Sequence, residues 1–345
     1  MLQAIAQTTL LDDVFTEDPT TNSLEAFIAE LTGKPAALLV LSGSMGNQVA
    51  IRAHLGAPPN AILCDQRCHI IQYEAGGVAS TSGAMVQTIV PANKKYITLE
   101  EVEANAVLGD NIHSCPTKIV EVENTLNGTI MPLAELRRIS KWARERDIIV
   151  HMDGARLWEA VAAGAGSLKE FCAEVDSVSL CFSKGLGAPI GSIIAGSETF
   201  IKKARWVRKT LGGGLRQAGV VAAPARVAVE ETFLGGKLKQ SHVTAKRVEK
   251  IWQDLGGKTL YPVDTNMVWL DFAANGVVED KFVTLGDKYG LKLNGARLVI
   301  HYQIGEEAVS KLEQVFTEVL KGKKGSSKKR KADVSAEELK LQHVE

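Results

Sequence analysis

The segment from Asp147 to Gly196 constrains this chain more than any other. It opens on the apolar run Ile148-Ile149-Val150-His151-Met152 and stops abruptly at Asp153-Gly154-Ala155-Arg156. A short apolar run ending on an acid and a glycine reads as a buried parallel strand that delivers a carboxylate at its C-terminal edge. A second run, residues 178–182, ends on Ser183-Lys184-Gly185-Leu186-Gly187. A lysine among small residues cannot easily reach away to solvent, and the two glycines leave room for a flat group against the backbone. Taken singly, an acid three residues before Arg156 is commonly a helix start, and Ser-Lys-Gly a turn. At this spacing, after two buried strands, they suit pyridoxal phosphate (PLP). That cofactor needs an amine to anchor it and a carboxylate to keep its ring nitrogen protonated.

The rest of the chain supplies a frame for the two strand ends. Residues 36–41 read as a buried strand, followed by Ser42-Gly43-Ser44-Met45-Gly46-Asn47 and a helix to about Leu55. Strand, small-residue turn and helix N-terminus make an anion site, although the pattern is neither a Walker nor a Rossmann fingerprint. Strands follow at 61–64, 86–90 and 118–122, the last ending on the polar loop Glu123-Asn124-Thr125-Leu126-Asn127-Gly128, and Pro132 opens an amphipathic helix to Arg146. This alternation predicts an α/β fold, a mostly parallel sheet covered by helices on both faces, with ligands beyond the C-terminal strand ends. A basic helix from 197 to about 211 leads into Gly212-Gly213-Gly214-Leu215-Arg216-Gln217, and two more helices reach Leu255. Beyond Gly256 the pattern turns strand-rich, at 265–270, 291–293 and 297–302, before a helix from 306 to about 320. The division expected is an arm at 1–22, a large cofactor-binding domain at 23–240, a smaller C-terminal α+β domain at 241–322, and a disordered tail at 323–345.

Charge and cysteine content exclude several classes of function. Forty Lys/Arg balance forty Asp/Glu, so no global field selects nucleic acid or a membrane surface. The exception is residues 321–345, with eight Lys/Arg against four Asp/Glu, a low-complexity stretch that reads as a solubilising tail rather than a nuclear-import or nucleic-acid-binding segment. Five cysteines, with no second pair at ligand spacing, argue against zinc and for a reducing, cytoplasmic setting. No apolar run approaches the ~20 residues of a membrane span.

Several motifs in order resemble the low-specificity L-threonine aldolases, PLP enzymes of the aspartate-aminotransferase fold type, in particular fungal members. They are Asp12-Asp13-Val14 with Asp18-Pro19-Thr20, Ser42-Gly43-Ser44, His69 with Glu74-Ala75-Gly76-Gly77, Glu123-Asn124-Thr125, His151-Met152-Asp153-Gly154-Ala155-Arg156, Ser183-Lys184-Gly185-Leu186-Gly187, Gly212-Gly213-Gly214-Leu215-Arg216-Gln217 and Asp264-Thr265-Asn266-Met267, spread over residues 10–320. The resemblance implies a seven-stranded sheet and a role for each matching residue. Lys184 would anchor PLP, Asp153 would pair with the ring nitrogen, and Gly43 and Ser44 would donate to the phosphate. His69 would stack on the ring. Arg156 would lie near the ring's phenolic oxygen and the substrate carboxylate, Arg297 would be the main carboxylate-binding arginine, and His301 would lie close to the substrate. Lys209 and Arg216 would reach the site of a neighbouring subunit, which implies a homodimer or homotetramer. The reaction implied is retro-aldol cleavage of L-threonine or L-allo-threonine to glycine and an aldehyde, with racemisation or β-elimination on the same fold as the alternative. Two departures stand out. The family's usual Arg-Ser-Asp-Thr-Val-Thr opening does not precede Asp12, implying a shortened or differently built arm, and Leu126 stands where bacterial members carry a histidine. The expected hydroxyl base is therefore His69, His301 or a water.

Overall fold

A computed structural model describes residues 1–321. The tail at 323–345 lies outside the described residues. Seven strands form the main sheet: β1 (Ala36–Val40), β2 (Ala61–Asp65), β3 (Met85–Ile89), β4 (Thr117–Glu123), β5 (Ile149–Asp153), β6 (Ser177–Cys181) and β7 (Ser192–Gly196). Their spatial order is β1-β7-β6-β5-β4-β2-β3. Every neighbouring pair is parallel except those made by β7, which runs antiparallel to both β1 and β6. β2, β6 and β7 are buried along their whole length, as expected of strands covered on both faces.

Helices Pro19–Thr32, Gly43–His54, Leu133–Arg144 and Glu198–Thr210 cover the sheet. Each start has a readable cause. Asp18 accepts from Thr21 N with Pro19 opening the helix, and Ser42 accepts from Met45 N. The helix Leu133–Arg144 buries Leu136, Ile139 and Ala143 at helical spacing and leaves its charges outside. One apolar core runs through these layers, with Leu39, Val120, Val150, Phe171 and Leu180 among its members.

A second core lies entirely within residues 245–320 and centres on Trp252, Phe282 and Phe316. It is carried by the helices Lys237–Asp254, Glu279–Lys288 and Glu306–Leu320 and by a two-stranded antiparallel ribbon, β8 (Met267–Trp269) with β9 (Arg297–Val299). The strand expected at 291–293 does not form. Leu291 N donates to Gly286 O at 2.8 Å, and the Leu293 side chain fills the space beside Gly286, so this stretch closes off the preceding helix instead of pairing. His69 begins a short helix, His69–Gln72.

The loop after β4 joins the two regions. Thr265 Oγ1 donates to Gly128 O at 2.8 Å and Trp269 Nε1 donates to Asn127 O at 2.9 Å. Gly128 sits at φ +84°, and any Cβ there would come within 2.7 Å of Met267 Cβ. Only glycine satisfies both the left-handed backbone and that approach.

Candidate active site

β4, β5 and β6 end side by side and present Glu123, Asp153 and, just past the last strand, Lys184. The helix Gly43–His54 packs across these ends. A Cβ at Gly43 would lie 2.8 Å from Cys181 Sγ, and one at Gly46 would lie 2.5 Å from Ser179 Oγ. The first-turn N–H groups of Gly43 and Ser44 are thereby held close to the lysine loop.

Asp153 is buried and cannot turn. Its Oδ1 accepts from Ala155 N at 2.9 Å and its Oδ2 from Asn47 Nδ2 at 2.7 Å. Asn47 Nδ2 also donates to Glu74 Oε1 at 2.9 Å, Gln48 Nε2 donates to Glu74 Oε2 at 2.6 Å, and Glu74 Oε1 lies 2.7 Å from His69 Nδ1. The backbone N–H of His69 donates to Glu123 Oε2 at 2.9 Å. Behind the acid, His151 Nδ1 and His54 Nε2 each lie 2.7 Å from Ser177 Oγ, and His54 stacks on Phe200. The ligand atoms of His69, Glu74 and Asp153 fall within 4.8 Å of one another. Asn47, Gln48 and Ala155 N already donate to both carboxylates, an arrangement suited to fixing them in place.

Burial dominates the electrostatics. It pushes the Glu123 carboxyl up to about 8, helped by the neighbouring Asp153. Glu121, buried with neither oxygen hydrogen-bonded, is raised well above the usual carboxylate range by desolvation. The same cause lowers His54 to about 3 and His151 to about 4, so both are neutral near pH 7. Arg156 is lowered by burial and by the nearby charge of Arg297.

Lys184, Arg156 and His301 open onto one cavity of about 250 Å³, together with Asn266, Tyr302 and Gln303. Two glycines shape it. Gly185 gives way to Glu159 Oε1, whose other oxygen lies 2.7 Å from His242 Nε2. Gly187 has φ +80°, and a Cβ there would lie 2.7 Å from the Tyr302 hydroxyl. Arg297, on β9, is exposed and does not line this cavity; it lies over the Trp269 ring, near enough for its charge to act on Arg156. Lys209 and Arg216 are elsewhere. Lys209 lines a separate hollow with Val14, Trp206 and Gly214, and Arg216 pairs with Asp12 at 2.5 Å. Leu126 is buried in the clasped loop and does not line the cavity. Sequence reading gave no role to Asn47, Asn266 or Tyr302. The first two stand inside recognised motifs, but their partners lie far away in sequence.

An anchoring amine, a fixed acid on an adjoining strand end and a helix N-terminus beside them fit PLP, and together with the mostly parallel sheet they define a PLP enzyme. The sequence pattern of the beta-eliminating lyase family matches residues 1–275, and the chain belongs to that family. It is similar to aldolase vrtJ of Penicillium aethiopicum, at 58% identity over 93% of this chain and 82% of that one. It is also similar to alanine racemase TOXG of Cochliobolus carbonum, at 46% over 93% and 84%. A third relative is the low-specificity L-threonine aldolase of Candida albicans, at 47% over 90% and 83%.

Proposed function

We propose that this chain is a PLP-dependent aldolase that cleaves β-hydroxy-α-amino acids, L-threonine and L-allo-threonine among them, to glycine and an aldehyde. The observation that carries the reading is the single cavity shared by Lys184, Arg156 and His301 beside the fixed Asp153. Lys184 would hold the cofactor, the N–H groups of Gly43 and Ser44 would take its phosphate, and His69, its Nδ1 fixed by Glu74, would pack against it. Asp153 keeps the proton on the ring nitrogen. When bound, PLP supplies an electron-accepting ring for the electrons of the broken Cα–Cβ bond. Arg156 and Arg297 grip the substrate carboxylate and so set which bond at Cα faces that ring. The β-hydroxyl proton would pass to His69, His301 or a water as the aldehyde leaves, and the same proton returned to Cα would give glycine.

Lys209 and Arg216 have a different task in this reading. They lie beside Phe15 and Trp206, which are 65% and 76% exposed, and a second copy covering that patch would receive both basic residues at its own site. Light scattering on the purified holoenzyme tests this, with a monomer counting against it.

The test of the reaction is aldehyde release and glycine formation from both threonine diastereomers by the purified holoenzyme. The 46% identity to an alanine racemase supports a second reading, proton exchange at Cα. D-alanine formed from L-alanine without aldehyde from threonine would select it.

A further inference from the structure

We infer that Asn266 is the group that receives the substrate's β-hydroxyl, an inference that rests on the aldolase reading above. Asn266 is 2% exposed and immediately precedes β8. Its Nδ2 donates to Ile300 O at 2.9 Å, and Ile300 N donates back to Asn266 O at 2.8 Å. The first bond fixes the orientation of the side-chain amide, because only its nitrogen end can serve a carbonyl; the second ties down the backbone that carries it. Oδ1 therefore points the other way. It is buried and has no hydrogen-bond partner, although Asn266 lines the same cavity as Lys184, Arg156 and Tyr302. A buried acceptor left without a donor is costly, and none of the donor side chains in the cavity wall, Lys184, Arg156, His301, Tyr302 or Gln303, bonds to it.

The missing donor thus arrives with the ligand. The carboxylate of an amino acid has no proton to give and has two arginines beside it. The amine is committed to the cofactor at Lys184. What remains is a hydroxyl on Cβ. His69 is engaged through Nδ1 by Glu74, and His301 Nδ1 accepts from Gln303 N at 3.3 Å. An amide oxygen accepts a hydrogen bond but does not take the proton. Asn266 accordingly orients the hydroxyl and selects amino acids that carry one, and the proton leaves to another group.

The experiment compares holoenzyme and its Asn266→Ala variant. It measures kcat/KM for L-threonine, and the dissociation constants of L-serine and L-alanine from the change in the cofactor's visible absorption. The variant is expected to lose roughly tenfold on threonine and on serine binding, the scale of one hydrogen bond. L-alanine binding should change less than twofold. Equal weakening of serine and alanine, or no change in either, overturns the assignment. Should the variant fail to fold, the parent enzyme decides by itself, because it must bind L-serine more tightly than O-methyl-L-serine and L-alanine; equal affinity for the three overturns the inference. A parent enzyme that releases no aldehyde from either threonine diastereomer sinks the aldolase reading, a result seen before any variant is made. Threonine cleavage that Asn266→Ala leaves untouched sinks only the role of Asn266.

Discussion

The two sides of the cavity are built differently. On the sheet side, Asp153, Glu74 and His69 are cross-bonded through Asn47 and Gln48, and both oxygens of the acid are held. On the other side, Asn266, His301, Tyr302 and Gln303 hang from a ribbon of two three-residue strands, with one buried acceptor unpaired. The sheet side is pre-organised for a ligand that stays: all four oxygens of Asp153 and Glu74 accept from protein donors, although Gln48 Oε1 and the Glu121 carboxyl behind them are unpaired. The ribbon side leaves a bond open for a ligand that comes and goes. Rigid support belongs where the geometry must not vary, and an unfilled acceptor belongs where selection occurs.

This contrast can be broken experimentally, beginning with the largest effect. Lys184→Ala should abolish turnover and the visible band of the covalently held cofactor, checked by absorbance and aldehyde release; full activity would remove the lysine from its role. Asp153→Ala should retain bound PLP but lower kcat by about ten- to a hundredfold. A charge-assisted bond of roughly 1.5–3 kcal/mol is lost at the ring nitrogen. An unchanged kcat would show that another residue faces that nitrogen.

Gly128→Ala strikes the clasp by which the ribbon side is held to the loop after β4. It forces a side chain into a left-handed backbone against Met267, at about 1–3 kcal/mol. Thermal stability should drop and KM rise while cofactor affinity holds; a loss of cofactor affinity instead would deny the separation of the two sides. The smallest effect concerns His54, which burial holds at about 3 against an unfolded value near 6.5. Between those values the unfolded chain binds the extra proton, so this histidine's contribution is intact above pH 6.5 and lost progressively as the pH falls. The loss reaches about 2 kcal/mol at pH 5. His54→Gln should flatten the fall in Tm between pH 7 and 5, and parallel curves for variant and parent would contradict the shift.

How much of this was legible in the sequence depends on the range of each interaction. Asp153 and Lys184 could be read because a strand and the residue that ends it are neighbours in the chain. So could the anion site at Gly43, whose strand, turn and helix are contiguous. The direction of β7 could not be read, since Ser-Ile-Ile-Ala-Gly looks the same in either sense and pairing alone decides it. Leu291-Lys292-Leu293 has the alternation of a strand, yet its backbone was claimed by Gly286 nearby. Asn47 looked like one more polar residue in an apolar helix because its partner Asp153 lies 106 positions away. Asn266 was hidden in the same manner.

The clasp between Thr265 and Gly128 spans 137 residues. A ribosome adding about 5–20 residues per second leaves that loop waiting roughly 7–30 s for its partner. By then the strands that carry Asp153 and Lys184 have already emerged, together with the helix that starts at Gly43. The growing chain thus carries every residue of the cofactor side before the residues of the opposite wall have been made.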